Sequence, residues 1–191
     1  MRVSILSDHE IEVLLTHLDT KCTTRDGLII RFMLQCGLRV GEVSALNIEN
    51  VWKWGHVHPA VHLEKGTTKG HRSRFVDMPE HLRSLIAKHL DPFEAGPDAL
   101  PSSPLFIGRK IHSRIQVSGI GRIVTTISLA CLGRSIHPHL LRHTYATVLL
   151  RYTNIRVVQQ LLGHIKLDTT QIYTHISSED CKVAVNKAFT R

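Results

Sequence analysis

The segment HPHLLRHTYAT, residues 137 to 147, sets three histidines and one arginine among leucines that read as the buried side of a helix. Histidine exchanges protons near neutral pH and arginine keeps its charge throughout, so the segment combines proton carriers with a permanent cation. His139 and Arg142 are three residues apart, about 300° around a helix, which places both on one wall of a possible site. Alone, the pair fits equally a histidine that caps or packs and an arginine paired with a surface acid. Downstream, LLGHIKLDTTQIYTH adds His164 and Tyr173. Proton carriers, a fixed cation and a phenol together suit chemistry on an anionic substrate.

The charge pattern points the same way. The chain has 191 residues and a formal net charge of +8. From Ala99 to Ile165 there are eight Lys or Arg (Arg109, Lys110, Arg114, Arg122, Arg134, Arg142, Arg151, Arg156) and no Asp or Glu, so this window carries the whole excess. Such a half predicts a polyanionic partner, nucleic acid ahead of a membrane surface. The four cysteines form no CxxC pair and read as free thiols of a reducing, cytoplasmic compartment. No apolar run approaches the roughly 20 residues of a membrane span, and the N-terminus has no signal-peptide pattern.

The elements that must position these groups follow from periodicity. Ser7 and Glu10 have capping-box spacing ahead of the stripe Ile11, Leu14, Leu15 and Leu18, which predicts a first helix. A second apolar stretch ends at Gly37 and leads into LRVGEVSALNI, a turn and short helix carrying Arg39 and Glu42. HVHPAVHLEKGTTKGHRSRFVDMP reads as a hairpin or small sheet ending at Pro79, which opens the helix PEHLRSLIAKHL. DPFEAGPDALPSSP, with four prolines, is a loop; LFIG is a brief strand. The second half is helical, over about 114–132, 138–151, 155–162 and 168–176. The expected fold class is mainly α with a small antiparallel β-sheet (α+β), in one domain with one good core or two small ones.

Taken together and in order, CGLRVGEVSAL, TTKGHRSRFVDM, HPHLLRHTYAT and LLGHIKLDTTQIYTH resemble the tyrosine recombinase (phage integrase) family, over about Leu6 to Ile176. The resemblance implies the catalytic domain of that family. Arg39 then matches the first catalytic arginine, His139 and Arg142 the HxxR pair, His164 the position held by histidine or tryptophan, and Tyr173 the nucleophile. Aligning RFVDM with the family's strand places Lys69 at the catalytic lysine, with Lys65 the alternative; Asp77 stands where the family often has proline. Most relatives carry an N-terminal clamp domain, which this sequence does not show, so residues 1–191 are expected to form a single catalytic domain with salt-sensitive DNA affinity.

The chemistry implied suits these residue types. Attack on a phosphodiester builds negative charge on its nonbridging oxygens, for which Arg39 and Arg142 supply bidentate cationic donors. A tyrosine hydroxyl, with a pKa near 10, must lose its proton as it attacks, and His139 can accept it. The 5′ oxygen leaves more easily when Lys69 protonates it, and His164 would hydrogen-bond the phosphate or hold Tyr173. The product is a 3′-phosphotyrosyl link that can be rejoined without ATP, and neither metal nor other cofactor is implied. Double-stranded DNA is the expected partner, with a homotetramer on DNA and a monomer off it.

Other readings use the same residues. His137, His139 and His143 invite zinc, but no HExxH occurs. Tyr145 and Tyr152 read as packing residues. Glu42 either orients a catalytic group or makes an ordinary helix ion pair with Arg39. Lys65, Arg72 and Arg74, with no acid between them, can reach a DNA backbone or form a solvated loop. A type IB topoisomerase-like relaxing enzyme and an inactive DNA-binding module remain as alternatives. The tail ISSEDCKVAVNKAFTR can fold back on its own core or dock on a neighbouring subunit.

Overall fold

A computed structural model describes residues 5–64, 73–90, 100–108, 113–162 and 178–189. Among these the helices are α1 (Asp8–Lys21), α2 (Thr24–Gln35), α3 (Val40–Ala45), α4 (Glu80–His89), α5 (Val117–Leu132), α6 (Pro138–Leu149), α7 (Ile155–Leu162) and α8 (Ser178–Phe189). The strands are β1 (Trp52–Lys53), β2 (His56–Val57), β3 (Ala60–Leu63) and β4 (Arg74–Asp77), paired as two antiparallel hairpins. The mainly helical α+β class read from the sequence is the one observed.

The capping box starts α1 as its spacing requires: Ser7 Oγ accepts from the Glu10 amide at 3.2 Å, and Glu10 Oε2 accepts from the Ser7 amide at 2.8 Å. Helix α2 is the centre of the molecule. Leu28, Ile29, Phe32, Met33 and Leu34 on it are 0% exposed, and α1, α3, α4, α5 and α6 pack around it. With Arg31 and Gln35 buried as well, the helix has no solvent face from Gly27 to Gln35, and each buried apolar side chain contributes about 1.5–3 kcal/mol.

Beyond α2 the chain turns sharply at Gly37, whose φ is +63°. A Cβ there would sit 2.3 Å from the Tyr145 ring, so both backbone and packing demand glycine. In the larger hairpin Leu63 faces Arg74 and Val61 faces Val76. The alternation buries Val61, Leu63 and Val76 and turns Arg74 to the same inner side, while His62 and Phe75 stack on the outer side at 4.6 Å. Pro79 caps α4.

One sequence expectation comes out differently. Residues 105–108 are not a strand; they are held piecewise, by the Leu105 amide on the Leu46 carbonyl (2.9 Å), the Ile115 amide on the Phe106 carbonyl (3.0 Å) and an isolated Ile107–Arg114 bridge. Pro104, which has no amide hydrogen, takes part only in an isolated bridge with Asn47. The helix expected over 168–176 lies outside the described residues. The tail forms α8, with Val185 and Phe189 buried in a second apolar cluster with Tyr145, Leu149, Val157 and Leu161, and Phe189 stacked on Tyr145 at 5.7 Å. Tyr145 is thus the packing residue expected, whereas Tyr152 is half exposed. No described helix is long and apolar enough to cross a membrane.

Candidate active site

Helix α3 begins three residues beyond Gly37, and Glu42 in its first turn is 1% exposed. Its carboxylate reaches back to the Arg39 amide, which donates to Oε2 at 2.8 Å, while Arg39 Nη1 donates to Oε1 at 2.9 Å. Across from it, the first residue of β4 closes a fork: Arg74 Nη1 donates to Oε1 and Nη2 to Oε2, both at 2.9 Å. A carboxylate offers about four lone-pair positions, and these four donors occupy them. Burial alone would push the Glu42 pKa up, but Arg74, the Arg39 amide and the Arg39 side chain together hold it below the usual carboxylate range, so it is anionic.

Arg142 approaches the same carboxylate from α6. Its Nη1 stands 3.9 Å from Glu42 Oε2, inside ion-pair range and beyond a hydrogen bond. Instead two backbone carbonyls orient it: Nη1 donates to Gly37 and Nη2 to Leu162 at 2.8 Å. Helix α6 therefore carries Arg142 to the point where the α2–α3 turn and the end of α7 meet. Burial lowers its pKa to about 10, with Arg39 and Arg74 adding repulsion that Glu42 partly offsets. That value still leaves it protonated at neutral pH. Three guanidiniums on one carboxylate give the four side chains a surplus of two positive charges.

The structure thus brings together Arg39, Glu42, Arg74 and Arg142 from three elements. His139 is exposed in the first turn of α6, one turn before Arg142. Lys65, Lys69, Arg72, His164 and Tyr173 lie outside the described residues. Of the two readings of Glu42, the simple helix pair with Arg39 accounts for only part of its contacts.

Sequence reasoning missed the acceptors that aim Arg142, because backbone carbonyls have no residue signature. Gly37 signalled only a helix end, although its strained backbone and its fit against Tyr145 were the available hint. Nor was the basic window wholly unpaired. Arg134 Nε binds Glu10 at 2.7 Å and Arg151 Nη1 binds Asp8 at 2.6 Å, so acids from α1 neutralise them. Arg114 binds the Ser44 and Leu46 carbonyls at 2.9 Å and Asn47 Oδ1 at 2.6 Å, closing the end of α3. Among the described residues no group of three or more His, Cys, Asp or Glu could hold a metal ion.

The chain is similar to known proteins over most of its length. The family model described as phage integrase family matches residues 4–180. Tyrosine recombinase XerD of Pseudomonas aeruginosa is 36% identical over 182 residues, covering 90% of this chain and 57% of its own length. A tyrosine recombinase of Pseudothermotoga lettingae is 39% identical over 166 residues, covering 85% and 54%. The XerA recombinase crystal structure superimposes with a TM-score of 0.72 at 29% identity, covering 98% of this chain and 66% of that one. XerH site-specific recombinase, bound to its difH substrate in a pre-cleavage complex, gives 0.69 at 26% identity, covering 94% and 52%. The chain therefore spans little more than half the length of the curated relatives it matches. With the family model covering nearly all of the sequence, the chain belongs to the phage integrase family.

Proposed function

We propose that the protein is a site-specific DNA recombinase that cuts and rejoins DNA strands by transesterification, with no metal or ATP. The observation that carries this reading is the convergence of Arg39 and Arg142 on the region around one buried carboxylate, where a phosphate can be gripped from two sides. Their forks stabilise the charge that develops on the nonbridging oxygens. Because Arg142 is held by carbonyls that cannot leave, it needs no reorganisation when the phosphate arrives.

In the reaction, the Tyr173 hydroxyl oxygen attacks phosphorus as its proton passes to His139. The bond from phosphorus to the 5′ oxygen breaks, and Lys69 supplies the proton that oxygen takes. His164 donates to the phosphate or holds the phenol. A 3′-phosphotyrosyl link and a free 5′ hydroxyl result, and attack by a hydroxyl of the partner strand reverses the step. Lys65 and Arg72 contact the backbone of double-stranded DNA, and two duplexes are served by a tetramer that forms on DNA from monomers. The likeness to XerH, which is bound to its own difH substrate, supports DNA as the partner.

The test is trapping on a duplex nicked beside the scissile phosphate, where the short 5′ fragment diffuses away. Wild type is expected to give a covalent adduct, and Tyr173→Phe none while keeping fold and DNA binding. Binding without any wild-type adduct would leave a DNA-binding module instead.

A further inference from the structure

By sequence, Arg74 is one of the hairpin cations, with Lys65 and Arg72, that can reach a DNA backbone, yet its side chain is 12% exposed and its fork is closed on Glu42 at 2.9 Å through both Nη atoms. Its Nε is buried and has no hydrogen-bond partner among the described residues. An arginine reading a phosphate backbone presents its fork outward to a mobile, hydrated partner. Arg74 does the reverse: it turns inward, gives up one donor and spends the fork on a carboxylate of its own chain.

What that carboxylate does next decides the matter. Glu42 Oε1 accepts from Arg74 Nη1 and from Arg39 Nη1, both at 2.9 Å, so the two arginines share one oxygen. Arg39 is the more exposed, at 23%, and can face a ligand. Arg74 also opens β4, the strand by which the chain re-enters the sheet opposite Leu63 after passing through the residues that include Lys69. One side chain therefore ties two things to a single point: the angle of the Arg39 guanidinium and the end of the hairpin strand.

We infer that Arg74 is a positioning residue, which sets Arg39 through Glu42 and locks β4 to α3, and is not a DNA contact. Lysine cannot replace it, because an ammonium reaches one carboxylate oxygen and lacks the planar fork. Without the fork, Glu42 can rotate toward Arg142 at 3.9 Å, taking Arg39 with it. Misplacing a catalytic group by about 1 Å costs on the order of 100-fold in rate. The consequence falls on the chemical step and leaves DNA affinity alone.

The inference rests on the transesterification reading, and one experiment on the full chain separates the two. Adduct formation on the nicked duplex is followed in single turnover at saturating DNA, with DNA affinity measured at several salt concentrations, for wild type, Arg74→Gln, Arg74→Lys, Glu42→Gln and the double variant Arg74→Gln/Glu42→Gln. The expected result is a loss of about 10- to 100-fold in rate for Arg74→Gln, with Kd within about 2-fold of wild type and an unchanged salt slope. Arg74→Lys recovers little, and the double variant is no slower than Glu42→Gln because both act through one carboxylate. The unchanged Kd doubles as the check that Arg74→Gln is folded. A phosphate contact would behave oppositely: weaker binding, a salt slope smaller by about 1 and a normal rate at saturation, which would overturn the positioning role alone. So would full rescue by Arg74→Lys, or additive losses in the double variant. A wild-type chain that forms no adduct would overturn the transesterification reading and this inference with it.

Discussion

Arg31 on α2 and Arg142 on α6 are both buried, at 4% and 8% exposure, and in both burial lowers the pKa. Their surroundings differ. Arg31 Nη2 pairs with Asp19 Oδ1 at 2.6 Å, one cation to one anion, and that carboxylate is itself 57% exposed. Arg142 meets two backbone carbonyls and shares a single carboxylate with two further arginines. For Arg31 the nearby charge eases the cost of burial; for Arg142 the largest charge effect, from Arg39, adds to it. A pair that balances is explained by folding alone. Among the described residues, the cluster of three guanidiniums on one carboxylate keeps two surplus positive charges, which suits an anionic ligand.

The contrast can be broken most directly at the two carboxylates. Glu42→Ala strands three guanidiniums, and removing one partner of a buried ionic cluster costs about 3–5 kcal/mol. Urea denaturation is expected to show a loss of that size, whereas Asp19→Ala, whose place water can take, is expected to lose about 1–2 kcal/mol. Equal losses would erase the distinction between the clusters. The glycines beside the two arginines sharpen it further. Gly37→Ala meets the Tyr145 ring at 2.3 Å with φ at +63°, so about 2–4 kcal/mol should be lost in the same assay, together with adduct formation.

A weaker effect concerns pH. Hydrogen bonding to Arg134, then to the Ser7 amide, holds the Glu10 pKa at about 2, against an unfolded value near 4.5. A depressed carboxylate contributes stability above its unfolded pKa and loses it as pH falls toward the folded one. Thermal melts between pH 5 and pH 2 are thus expected to decline less steeply for Glu10→Gln than for wild type. Glu42, also depressed, contributes to the same decline in both proteins. Smallest of all is Gly27→Ala: the nearest atom to its new Cβ is Arg31 Nη1 at 3.2 Å, the far end of a flexible chain, and the gain in helix propensity offsets the shift to within about 1 kcal/mol.

Much of this was legible in the residues. Ser7 and Glu10, the apolar α2 and the alternation around Val61 and Val76 are local patterns, and local patterns survive folding. The candidate arginines were legible through their motifs. What joins them was not: Arg74 and Glu42 are 32 residues apart, Arg142 and Gly37 105 apart, and such separations leave no periodic trace. The pairing of Arg134 and Arg151 with acids on α1 was hidden for the same reason, which made the basic window look more open than it is. The strand expected at 105–108 failed because apolar character was read without asking which backbone groups it would pair with.

In the proposed reaction Arg142 bears the charge of one phosphate. The decisive comparison sets Arg142→Ala against wild type on two nicked duplexes, one with an ordinary scissile phosphate and one in which that phosphate is a neutral methylphosphonate. Loss of a donor to a developing oxyanion costs about 100- to 1000-fold, so the variant should be slowed by that factor on phosphate and by less than about 10-fold on methylphosphonate. An equal loss on both substrates would mean that Arg142 supports the fold and does not hold the charge.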